Sequence, residues 1–230
     1  MGRLVLVHGS VTNGAMTWGA QRPLAERWEL VVLDRPGFAP GPAVERVDFD
    51  TDALWLAGLL RPGDHLCGHS YGGVVSLLAA ARKPVLASLT VSEPPCFGVA
   101  RGNPAVEEFL EQYESFEPAR PREYLEFFLP LVGSEIRLPD ALPPALEQGA
   151  RAAMAERSPD EAAIPLAELA ASPFPKLVIS GGHNPAFDAV CDMLEARLPA
   201  KRVVLPGAGH SLPRASGYND ALVEFIGSAP

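Results

Sequence analysis

The chain has 230 residues, enough for one domain with a large buried core. Its 19 basic and 28 acidic residues give a net charge of −9, which speaks against a basic groove for nucleic acid. Hydrophobic residues at 47% and charged residues at 20% exclude wholesale disorder. No run approaches the roughly 18 apolar residues of a membrane span, and the apolar N-terminal run is too short for a signal peptide. The three cysteines, Cys67, Cys96 and Cys191, are odd in number and widely spaced, with no CxxC. They argue against a disulfide framework or a thiolate zinc site and fit a reducing compartment, so a cytoplasmic location is expected.

Short apolar runs bounded by Gly, Pro or Asp recur at residues 4–7, 30–33, 65–67, 85–91, 176–179 and 202–205. Most are apolar throughout rather than alternating, as strands covered on both faces are in a parallel sheet. Between them lie helical patterns. Residues 16–27 and 50–60 are amphipathic, and 71–82 is almost wholly apolar and predicts a buried helix. Residues 187–197 and 219–226 close the series. Strand and helix alternate, which predicts an α/β fold with a mostly parallel sheet and helices on both faces.

The middle of the chain is built differently. Thirteen of the 24 prolines lie between residues 94 and 175. Strand-like runs are missing there, and helical patterns at 105–116, 122–131 and 142–156 replace them. Because sheet-forming sequence brackets this segment, residues 96–175 are expected to be a helical cap inserted into a core made of 1–95 and 176–230.

Three constellations carry chemistry. Gly68, Ser70 and Gly72 spell GxSxG between an apolar run and an apolar helix pattern. A strand–turn–helix with serine at the turn is a nucleophile elbow, and a Cβ two residues to either side of the serine would strike the adjoining strand or helix. The plainer alternative makes Ser70 the N-cap of the helix. His8-Gly9-Ser10 follows the first strand, where the Ser10 N–H can join the Tyr71 N–H in holding an oxyanion. Gly207-Ala208-Gly209-His210 follows the last strand, where a histidine can serve as general base.

These motifs, in this order and together with Asp34-Arg35-Pro36-Gly37-Phe38, resemble the α/β-hydrolase superfamily over nearly the whole chain. The resemblance implies a six-stranded sheet, the family's usual first two strands being absent. It also implies Ser70 as nucleophile, His210 as base, and the N–H groups of Ser10 and Tyr71 as the oxyanion hole. The family usually keeps its acid just beyond the strand that follows the cap, where this chain reads Gly181-Gly182-His183-Asn184. Asn184 cannot be an anion. Glu93, at the end of the strand before the cap and stiffened by Pro94 and Pro95, is taken ahead of Asp188. A site served by neither stays open.

Other residues have plainer readings. His8 and His69 are structural neighbours of the motifs, and Cys67 and Cys191 are packed small hydrophobes. Asp34 and Arg35 read as a loop ion pair, with Arg35 also a candidate to face the pocket. Trp18 and Phe97 are candidates to line it. The expected activity is cofactor-free and metal-free hydrolysis of a small or medium apolar ester, thioester or lactone through an acyl-enzyme on Ser70. The partner is a small-molecule substrate rather than nucleic acid or membrane, and oligomeric state stays open. Two rivals remain: a lyase, C–C bond hydrolase or cyclase on the same scaffold, and a binding protein without turnover. The three lysines, Lys83, Lys176 and Lys201, lie away from every motif, which lowers the lyase.

Overall fold

The computed structural model describes residues 2–83 and 85–228. Six strands form one parallel sheet: β1 (Arg3–Val7), β2 (Glu29–Leu33), β3 (His65–His69), β4 (Ser88–Ser92), β5 (Lys176–Ser180) and β6 (Lys201–Val204). Their spatial order is β2-β1-β3-β4-β5-β6, so the chain reverses direction across the sheet between β1 and β3. Open α/β sheets bind ligands beyond the carboxyl ends of their strands at such a reversal.

Side chains along each strand alternate between two apolar layers. Val5, Val7, Leu66, Val91 and Val178 face one layer, packed by α2 (Phe49–Leu59), α3 (Tyr71–Arg82) and α8 (Pro185–Arg197). Leu4, Leu6, Cys67, Leu177 and Ile179 face the other, where α9 (Tyr218–Gly227) contributes Tyr218, Leu222 and Phe225. Both faces are covered, which is why the strands read as apolar runs. In α3 every residue from Tyr71 to Ala80 is buried, as its apolar sequence predicts. The three cysteines are free and buried.

Two expectations about elements are corrected. Residues 16–27 do not form one helix: α1 (Gly14–Thr17) ends after a single turn and a 3₁₀ segment, Gly19–Glu26, follows. Pro23 lies within that segment, where it supplies no N–H and opposes an α-helix. The fourth strand begins at Ser88 rather than at residue 85. Between β4 and β5 the chain runs through α4 (Pro104–Glu114), α5 (Pro121–Leu131), α6 (Pro144–Met154) and α7 (Leu166–Ala171), joined by turns and 3₁₀ segments. Proline occupies the first turn of α4, α5 and α6, where its missing N–H costs nothing. The prolines that mark this segment therefore start its helices. Among the described residues no helix is long and apolar enough to cross a membrane.

Candidate active site

Ser70 occupies the turn between β3 and α3 with φ 53° and ψ −129°, a conformation that costs a non-glycine residue about 1–3 kcal/mol. The turn is held by its own N–H, which donates to the Ser92 carbonyl at 2.8 Å, and by Gly73 N–H, which donates to the Ser70 carbonyl at 2.7 Å. The flanking glycines are there for space. A Cβ on Gly68 would come within 2.5 Å of the Gly72 carbonyl oxygen, and one on Gly72 within 2.5 Å of the Val7 carbonyl oxygen. The Ser70 side chain makes no capping bond to α3, so the N-cap alternative fails. Its Oγ–H instead donates to His210 Nε2 at 2.9 Å.

His210 comes from the loop after β6. Its Nδ1–H donates to Glu93 Oε2 at 2.7 Å. Glu93 stands at the end of β4, fully buried, with φ 42°. Its N–H continues the sheet by donating to the Ile179 carbonyl at 3.0 Å. Its Oε1 accepts from Gly181 N–H at 2.8 Å, and its Oε2 accepts a second imidazole N–H, from His183 Nε2 at 3.1 Å. Burial alone would push the Glu93 carboxyl up. The hydrogen bonds from His183, His210 and Gly181, with the attraction of His210, win and bring it down to about 2. The Glu93, His183 and His210 donor atoms lie within 4.8 Å of one another and are spent on these hydrogen bonds.

Asn184, at the position where an acid was sought, is the N-cap of α8. Its Oδ1 accepts from Ala186 N–H at 3.0 Å and its amide donates to the Leu131 carbonyl at 3.2 Å. Asp188 is not on the imidazole. Its Oδ1 accepts from Ser180 Oγ at 2.8 Å and lies 3.4 Å from the Arg202 guanidinium.

Ser10 and Tyr71 flank Ser70, and among the described residues neither backbone N–H has a hydrogen-bond partner. The Ser10 side chain donates to Glu156 Oε2, which follows α6 in the inserted segment. Glu156 Oε1 in turn accepts from Arg35 Nη2 at 2.8 Å, and Arg35 Nε donates to Asp52 at 3.1 Å. Arg35 is corrected on both counts. It pairs with Asp52 and Glu156 rather than with Asp34, and it is fully buried, with its guanidinium over the Tyr71 ring at 4.3 Å, instead of lining a pocket. Burial opposes its charge, but the two carboxylates outweigh that and hold it protonated. Asp34 accepts from Gly14 N–H at 2.8 Å.

The neighbouring histidines are structural. His8 Nδ1–H donates to the Gly9 carbonyl, and its Nε2 accepts from Arg35 N–H at 2.9 Å. His69 Nε2–H donates to the His210 carbonyl at 2.7 Å and so steadies the histidine loop. Burial pushes both imidazoles down to about 3, so they remain neutral.

Two cavities meet at Ser70. One is lined by His69, His210, Ser211, Thr17 and Arg214. The other is rich in aromatic rings, including Phe97, Phe109, Tyr113, Phe128 and Phe187. Phe97 thus lines a cavity. Trp18 does not line either cavity, contrary to expectation: it packs with Leu4, Leu24 and Tyr218 in the layer beneath the sheet, 2% exposed.

A match to the alpha/beta hydrolase family extends over residues 4–225. The chain belongs to that family. Among curated proteins it is similar to the pimeloyl-[acyl-carrier protein] methyl ester esterase of Aeromonas hydrophila, with 40% identity over 100 residues. That stretch covers 41% of this chain and 39% of the relative, so the likeness spans well under half of either. Two solved structures are similar over almost the whole chain. NosK from Streptomyces actuosus has a TM-score of 0.69 and 23% identity, covering 99% of this chain and 98% of its own. A lipase-esterase related protein from Clostridium acetobutylicum has a TM-score of 0.75 and 16% identity, covering 97% and 94%. At those identities the likeness shows the fold alone.

His183 is the site residue that sequence reasoning missed. The available signal was a histidine in the loop after β5, at the same sheet edge as Glu93.

Proposed function

We propose that this hydrolase cleaves a small or medium apolar ester, thioester or lactone through an acyl-enzyme on Ser70. The observation that carries the reading is the chain of hydrogen bonds from Ser70 Oγ–H to His210 Nε2 and from His210 Nδ1–H to Glu93 Oε2. His210 takes the serine proton as Oγ attacks the carbonyl carbon. Glu93 fixes the tautomer that leaves Nε2 free to accept, and it stabilises the imidazolium that forms. The N–H groups of Ser10 and Tyr71 receive the developing oxyanion. As the tetrahedral intermediate collapses, His210 returns the proton to the leaving group. Water, activated by the same imidazole, then releases the acid.

His210 must reach the leaving group, and it lines the more polar cavity. The acyl group therefore occupies the aromatic cavity, which does not include His210. Rings from the inserted helices supply much of its lining, so the segment 96–175 acts as a cap over the site and shapes acyl preference. The partial likeness to methyl ester esterases supports ester cleavage as the reaction class. The buried free thiols fit a reducing compartment, and we place the protein in the cytoplasm.

A panel of p-nitrophenyl esters of graded acyl length, run beside labelling with a fluorophosphonate probe, tests the reading. The expected result is hydrolysis of short to medium esters with label on Ser70. In Ser70→Ala the label disappears and turnover falls by about 10³–10⁶-fold. Hydrolysis by Ser70→Ala at the parent rate would overturn the reading.

A further inference from the structure

We propose that His183 is a positioning residue of this site. It shares the Glu93 oxygen that supports His210, and its own protonation weakens that support and lowers activity on the acid side. The inference rests on the hydrolase reading above.

Oε2 of Glu93 accepts two imidazole N–H groups, from His210 at 2.7 Å and from His183 at 3.1 Å. Oε1 is tied to Gly181 N–H. Neither oxygen can rotate away from His210 without abandoning one of the other donors, so His183 and Gly181 together fix the direction of the carboxylate. His183 is itself fixed. A Cβ on Gly133 would lie 2.6 Å from its Nδ1, so the turn after α5 closes directly over the ring. The same turn accepts His210 N–H on the Gly133 carbonyl at 2.9 Å. The inserted segment thus holds both histidines through one residue.

The electrostatic consequence follows from the groups that face His183. They are Glu93 from the end of β4, Asp188 from α8, Glu135 from the chain after α5, and the His210 ring 6.4 Å away. Asp188 is also paired with Arg202. The hydrogen bond to Glu93 raises the His183 imidazole above its ordinary value, against the opposing effect of burial. The His183 side chain is 17% exposed and that of Glu93 0%, so the water that stabilises a cation is available at His183. On acidification His183 can therefore take up a proton while Glu93 stays an anion. The resulting cation neutralises Glu93 and weakens its support of the His210 imidazolium in the transition state. Activity falls partially at this step.

The test is the pH profile of kcat/KM from about pH 5 to 9. It uses a short-chain p-nitrophenyl ester and compares the wild type, His183→Gln and His183→Ala. The glutamine amide can donate to Glu93 but does not titrate in this range. The wild type is expected to show a partial fall in kcat/KM on the acid side that His183→Gln lacks, and at high pH the glutamine should restore most of the turnover lost in His183→Ala. His183→Ala loses a charge-assisted hydrogen bond, with an expected drop in kcat of about tenfold and little change in KM. As an arm independent of turnover, histidine ring resonances in the unliganded protein should show His183 titrating. That titration should move the His210 ring signals, and Glu93→Gln should lower the His183 midpoint. Wild-type and His183→Gln profiles of the same shape would overturn the proposal, as would a His183 titration that leaves the His210 signals unmoved. Either result leaves the hydrolase reading intact. Failure of that reading would show instead as hydrolysis that survives Ser70→Ala.

Discussion

The carboxylate of Glu93 accepts the Nδ1–H of His210 at 2.7 Å, although the two residues are 117 positions apart in the chain. Asp188, on the helix that follows β5, is committed to Ser180 and Arg202. Glu93→Gln is therefore expected to reduce turnover by about 10⁴-fold, because a neutral amide stabilises neither the productive tautomer nor the imidazolium. Asp188→Asn should stay within a few-fold of the parent, since the amide still accepts from Ser180. Steady-state kinetics on the two purified variants checks this. Equal losses would return Asp188 to consideration as the acid.

Glu93 also links stability to pH. Its carboxyl lies at about 2 in the fold, against 4.5 for a free glutamate. A depressed carboxyl contributes stability that is fully present above the unfolded value and is lost as pH falls through the folded one. About 3 kcal/mol should disappear between roughly pH 5 and pH 2. Urea unfolding across that range should show the loss in the parent and a flatter curve in Glu93→Gln.

Among the described residues, Arg35 is the cation paired with the buried carboxylates of Asp52 and Glu156. Arg35→Met removes that cation, leaving Asp52 unpaired and Glu156 with only the Ser10 hydroxyl. Removing one partner of such a cluster costs about 3–5 kcal/mol, which corresponds to roughly 10 °C in Tm for a chain of this size. Adding Asp52→Asn and Glu156→Gln should recover part of the loss. Thermal unfolding of the single and triple variants measures both effects, and a single variant as stable as the parent would show the cluster to be dispensable.

Phe109 lines the aromatic cavity and packs on Phe97 and Phe187, with centroids at 4.7 and 5.6 Å. Phe109→Leu should open space at the acyl side and move the preferred p-nitrophenyl ester toward longer acyl chains by a few-fold in kcat/KM. An unchanged chain-length profile would place the acyl group in the other cavity.

The sheet, the elbow and the last histidine were legible because each depends on a local pattern: apolar runs of strand length, GxSxG before an apolar helix, and a glycine-flanked histidine after the final strand. The contact of Glu93 with His210 was legible through the amide at residue 184, which N-caps α8 and left Glu93 ahead of Asp188 as a partner for the histidine. Three features depend on packing that no local pattern carries. Trp18, between α1 and the 3₁₀ segment, fell beneath the sheet against Tyr218. Arg35 found partners 17 and 121 positions away instead of the aspartate beside it. His183 reached Glu93 across adjacent strand ends.

The connection from β4 to β5 is far longer than its topology requires. A parallel crossover needs about a dozen residues, yet the chain travels from Ser92 to Lys176, through four helices, before it rejoins the sheet. Of the Ser70, Glu93 and His210 constellation, none lies within those helices. The segment is a long excursion from the sheet, tied back to the site through Gly133 and Glu156. A shortened or exchanged segment would leave Ser70, Glu93 and His210 in place, on the turn after β3, at the end of β4 and on the loop after β6. The constraint on such grafts is local: they must still present a glycine over His183 and a carboxylate to Ser10.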